Sequence, residues 1–141
     1  MWPVSFAQRL ESWNELRDSC QTLPVKETLE AINSWWFDVP WRPYYLHWDD
    51  LAIWPDPWQL LSDNHYCNLA RALGILYTIT LLDRADLGDA TLVLTEDGDN
   101  LVLVGKSKYI LNWDRDTIVN TIQAVNIKKQ LTQLEVKQQY L

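Results

Sequence analysis

The chain has 141 residues, 48% of them hydrophobic, with nine tryptophans and a net charge of −7. That apolar content excludes an unfolded chain, and the length suits one domain burying about two-thirds of its extended surface. Residues 1–105 carry 16 acidic against 6 basic side chains, which excludes nucleic-acid backbone binding through the body, while 106–141 carry 6 basic against 3 acidic, too dispersed for a polybasic patch.

Ser5 is positioned to cap a helix whose apolar residues Phe6, Leu10, Trp13, Leu16 and Cys20 recur at spacings of three and four. Thr22-Leu23-Pro24 restarts the chain, and Val25, Leu29, Ile32 and Trp36 define a second amphipathic helix that ends on the approach to Pro40. Eight of the nine tryptophans and all six prolines precede residue 59. Residues 38–56 concentrate this character. Prolines at 40, 43 and 55 bar long regular structure there, while Trp41, Tyr44, Tyr45, Trp48 and Trp54 demand burial. Such a loop is either a pinned cover or a binding surface.

The stretch Trp54–Leu82 organises the rest. Asp56-Pro57 with Gln59 is a capped helix start, and Ser62-Asp63-Asn64 is a second. From Tyr66 to Leu82 the sequence is apolar almost all round, interrupted mainly by Asn68, Arg71 and two threonines, which requires a helix wrapped by other elements. The run Ala72–Leu82 is too short to cross a bilayer. Beyond it, Thr91–Thr95 and Asn100–Val104 flank Asp97-Gly98, a strong hairpin signal, and Lys108–Trp113 adds a third strand after a turn at Gly105.

Asp114 or Asp116 would cap a final helix bearing Ile118, Ile122, Ala124, Val125, Ile127, Leu131, Leu134 and Leu141. The expected fold is α+β: two N-terminal helices, a central buried helix, a small antiparallel meander and a C-terminal amphipathic helix. Residues 1–130 form the globular domain, and 131–141 form a projecting arm that needs a partner.

These residues offer three candidate chemistries. Cys67, near the start of the central helix, can be activated by the helix dipole, with His47 reaching back from the aromatic loop. Alternatively Cys67, like Cys20, is a small buried hydrophobe, and the absence of a secretory leader favours reduced thiols in a cytosolic setting. His47, Asp49, Asp50, His65 and Cys67 are metal-ligand types without the paired spacing of a metal motif. Four glycines in the chain supply no phosphate-binding loop, and no cofactor is expected.

Two resemblances follow from these residues. YCNLARALGI (Tyr66–Ile75), followed by an antiparallel meander, resembles the nucleophile helix of the transglutaminase/papain-like superfamily. That resemblance implies a cysteine hydrolase or transferase using Cys67. The superfamily draws its general-base histidine from a strand after the helix, whereas here Ala90-Thr91-Leu92 stands at the matching strand and no histidine follows His65. WPDPWQLLSDNHYCNLARALGILYTI with the lead-in WWFDVPWRPYYLHW resembles small proteins of tailed bacteriophages, which implies a virion or assembly role. The principal expectation is a non-enzymatic, protein-binding subunit, cytoplasmic at synthesis and built into an oligomer or particle, with no membrane and no nucleic-acid partner. Its interface would be Trp41, Tyr44, Tyr45, Trp48, Leu131, Leu134 and Leu141.

Overall fold

The computed structural model describes residues 2–43, 45–121 and 125–141. Helix α1 spans Phe6–Cys20 and opens on a capping box, in which the Ser5 hydroxyl accepts from the Gln8 amide and the Gln8 side chain accepts from Ser5. Its inward face is Arg9, Trp13 and Cys20, while Phe6 lies outside. Arg9 is buried because its guanidinium donates to the carbonyls of Leu61 (2.8 Å) and Val4 (2.7 Å), which satisfies a charge that would otherwise be costly to enclose. Helix α2 is Val25–Trp36 and buries Leu29, Ile32 and Trp36.

A 3₁₀ turn at Trp48–Ile53 crosses the aromatic stretch, and α3 follows at Pro57–Asp63, capped by Asp56. Asn64 then adopts a left-handed conformation (φ 57°), a backbone state that asparagine tolerates better than most residues, and α3 stops there. Helix α4, Asn68–Leu82, is the buried centre: Leu69, Ala70, Leu73, Ile75, Leu76, Tyr77 and Ile79 are all sealed.

The tryptophan-rich layer closes around α4 by hydrogen bonding as well as packing. Trp13 and Trp36 both donate their indole N–H to Thr78 Oγ1, at 2.9 and 3.0 Å. The Thr78 hydroxyl in turn donates to the Gly74 carbonyl at 2.7 Å. Two large rings are thereby buried with their polar handles satisfied.

Strands β1 (Thr91–Thr95) and β2 (Asn100–Val104) form the expected hairpin, with Gly98 at φ 90° in the turn. Strand β3 is Tyr109–Leu111. The sheet has a fourth strand, β4 (Ile127–Thr132), antiparallel to β1, giving the order β3-β2-β1-β4. Alternation puts Leu92, Val102, Val104, Leu111 and Leu131 into the main core with α4, whereas Val93, Leu101, Leu103 and Ile110 form a second cluster.

The C-terminal helix is thus corrected. Leu131 pairs with Leu92 inside the sheet and is 2% exposed, and only Gln133–Gln139 forms a helix, α5. Rather than projecting as an arm, α5 buries Val136, and Tyr140 stacks on Trp54 and donates to the Leu51 carbonyl at 2.5 Å. Leu134 and Leu141 remain exposed on this packed segment. Ile122 and Ala124, assigned above to the final helix, lie outside the described residues, as does Tyr44.

Candidate functional site

The break between α3 and α4 places the cysteine. After Asn64, His65 and Tyr66 run extended; Tyr66 bridges in parallel to Trp41, and its carbonyl accepts from the Arg42 amide at 2.9 Å. Cys67 is therefore not inside the helix, as a continuous helix from Asn64 would have it. It is the N-cap of α4, with Sγ 3.5 Å from the Ala70 amide. The first-turn amides point toward this end, where negative charge is favoured.

Cys67 lines an open cleft of about 320 Å³ together with Trp41, Pro43, Leu46, His47, Trp48, Asn68, Leu69 and Asn100. The lining comes from the aromatic loop, the start of α4 and the first residue of β2. His47, on the loop, and Cys67, at the helix start, thus share one cavity although they stand 20 positions apart. The loop is held locally, since the Trp54 indole donates to the His47 carbonyl at 2.8 Å. His65 lies elsewhere, with its ring 6.0 Å from that of Tyr45.

The expected interface residues divide. Trp41 is 60% exposed at the cleft rim. Tyr45 is half-buried and donates to Asp63; burial, then that hydrogen bond, pushes its phenol well above the ordinary value. Trp48 is half-buried and donates its indole N–H to Asn100 Oδ1 at 2.8 Å. Trp41 and Trp48 line the cleft, and Tyr45 lies outside its lining.

Two residues that shape this cleft escaped the sequence reading. Asn100 is the strand residue that lines the cleft with Cys67, in place of the Ala90–Leu92 stretch that the chain order suggested. Behind it, Asn112 is buried at φ 68° and knots four elements together. Its amide nitrogen donates to the carbonyls of Asn68 (3.0 Å) and Asn100 (2.8 Å), its Oδ1 accepts from Arg71 (2.5 Å), and its backbone N–H donates to Asn33 Oδ1 (2.9 Å). The backbones on both sides of the cleft are thereby fixed. A polar residue opening the apolar run Asn100–Val104 was the available signal.

Cys20 has a different setting. It is fully sealed, and burial pushes its thiol up. Among the described residues no group of three or more His, Cys, Asp or Glu side chains converges as a metal site, and no helix is long and apolar enough to cross a membrane.

Neither a protein-family model nor a curated protein matches the sequence. Solved structures do match the fold. Calcium-bound LapG of Legionella pneumophila superposes with a TM-score of 0.70 at 16% identity, covering 93% of this chain and 78% of that one. A second LapG structure gives 0.68 at 16% identity over 90% and 76%, and EGTA-treated LapG gives 0.65 at 17% identity over 90% and 74%. LapG is a transglutaminase-like cysteine protease. The expectation of a non-enzymatic virion subunit is corrected accordingly. The phage resemblance rested on short aromatic patterns, and the fold those residues build is the one this protease uses over nine-tenths of the chain.

Proposed function

We propose that the protein is a cysteine-dependent hydrolase or acyltransferase of the transglutaminase-like type, with Cys67 as nucleophile and His47 as general base. The observation that carries this reading is the shared cleft, with a cysteine capping the buried central helix and a histidine in the facing loop. The fold shared with LapG, a cysteine protease, adds support.

In this mechanism the Cys67 thiol gives its proton to His47, and Sγ attacks the acyl carbonyl carbon. The tetrahedral intermediate collapses, the carbon–nitrogen or carbon–oxygen bond breaks, and His47 returns the proton to the leaving group. Water or an amine then attacks the thioester, restoring the thiol. Trp41, Pro43, Leu46 and Trp48 offer the acyl group an apolar wall.

The test is acylation by p-nitrophenyl acetate, followed by release of p-nitrophenolate and by peptide mass mapping. Label on Cys67, lost in Cys67→Ala and slowed about 10²-fold or more in His47→Ala, is the expected result. Equal label in Cys67→Ala would overturn the reading.

A further inference from the structure

The two ends of the Asn100 side-chain amide have different surroundings. Its Oδ1 is occupied by the Trp48 indole N–H at 2.8 Å. That bond fixes which end of the amide is which, because an indole can only donate. The remaining group, the Nδ2 amide, makes no hydrogen bond to the described residues, and the side chain lines the Cys67 cleft. The residue is held from behind as well, through the bond from Asn112 Nδ2 to its carbonyl. The same Asn112 amide bonds the Asn68 carbonyl next to the cysteine, so donor and thiol are referenced to one rigid knot. An N–H donor oriented on a cleft that Cys67 also lines, and pinned by the half-buried Trp48 and the buried Asn112, is more than a strand residue needs for folding.

We infer that Asn100 supplies the hydrogen bond that stabilises the negative oxygen formed when Cys67 adds to an acyl group. This rests on the reading of Cys67 as nucleophile. As the sulfur–carbon bond forms, the carbonyl π electrons move onto oxygen, and Asn100 Nδ2–H donates to that oxygen without transferring its proton. Collapse reforms the double bond and expels the leaving group. Trp48 acts one step back as a positioning residue, because without its indole the amide is free to turn its oxygen toward the developing charge. The substrate class is therefore a neutral carbonyl compound, an amide or ester, rather than a disulfide or a phosphate.

The experiment compares two reagents on the full chain. p-Nitrophenyl acetate develops an oxyanion as it acylates the thiol, whereas methyl methanethiosulfonate transfers a methylthio group to sulfur with loss of methanesulfinate and involves no carbonyl. In Asn100→Ala, and in Asn100→Leu, which keeps the side chain's bulk, acylation should fall by about 10²–10³-fold while methylthiolation keeps the wild-type rate. Trp48→Phe should lose a smaller part of the acylation rate with methylthiolation again unchanged. Both reactions falling together in these variants, or acylation of Cys67 at the wild-type rate in both Asn100 variants, would overturn the role of Asn100 while leaving the nucleophile in place. A wild-type protein that is never acylated at Cys67 would instead overturn the enzyme reading itself.

Discussion

Gly74 lies directly beneath the indole of Trp36. A Cβ at position 74 would come within 2.7 Å of Cζ2 of that ring and closer still to Cζ3 and Cη2. On an exposed helix Gly→Ala would gain about 1 kcal/mol of helix propensity. Here the added methyl meets a rigid ring that is itself 1% exposed and tied to Thr78, so it has no room to yield. Gly74→Ala should therefore destabilise by about 1–3 kcal/mol, measured by chemical denaturation. A stabilised variant would contradict this packing.

The Thr78 hydroxyl receives two indole N–H groups, so its removal should cost more than one hydrogen bond. Thr78→Val keeps the shape but leaves two buried donors unsatisfied, each at about 1–3 kcal/mol. Thr78→Ser restores the acceptor and should recover most of the loss. Equal melting temperatures for the valine and serine variants would show that the hydroxyl does not anchor the tryptophan layer.

How much of this was legible in the sequence depends on whether the signal was local. The hairpin declared itself because Gly98 interrupts two β-rich runs, and α1 because Ser5 precedes apolar residues at spacings of three and four. Strand β4 was hidden. Ile127, Leu131 and Leu134 stand at helical spacing, and Lys128 and Lys129 look like a helix's wet face. In fact β4 is an edge strand, and exposed lysines are how such edges are kept from pairing further. The cleft was half legible. Cys67 and His47 were named from residue type, but Asn100 and Asn112 act through the register of β2 and β3 against α4, which no local pattern encodes.

Burial pushes the phenols of Tyr66 and Tyr77 above their ordinary values. In the unfolded chain these groups release protons near pH 10. Above that pH the unfolded state binds fewer protons than the folded one, so stability falls as pH rises toward the folded values, by about 1.4 kcal/mol per pH unit for each tyrosine. Denaturation midpoints measured from pH 9 to 11 should decline, and Tyr77→Phe should make the decline shallower. An unchanged slope in that variant would remove Tyr77 from the account.

The two cysteines should separate cleanly under a thiol reagent. Cys67 opens to the cleft whereas Cys20 is fully sealed with its thiol pushed up. One fast thiol is expected in the native protein and a second only after unfolding, with the fast one absent from Cys67→Ala. Two fast thiols would mean that α1 does not close over Cys20.

The C-terminal segment should govern the cleft from a distance. Tyr140 stacks on Trp54, whose indole holds the His47 carbonyl, and donates to the Leu51 carbonyl in the turn that begins with Trp48. Removing 133–141 takes away this brace together with the fully buried Val136, whose burial contributes roughly 1.5–3 kcal/mol. The truncated chain should melt lower as a monomer, in contrast to the behaviour of a free arm. Tyr140→Ala should reproduce part of that loss, about 0.5–3 kcal/mol, and Tyr140→Phe, which keeps the ring, a smaller part. Because the brace ends on the loop carrying His47 and Trp48, Tyr140→Ala should also change the rate at which Cys67 reacts, while the Gly74 and Thr78 variants, measured where they are folded, should not. A truncated protein with both the parent melting temperature and the parent thiol reactivity would show that the segment neither supports the domain nor fixes the loop.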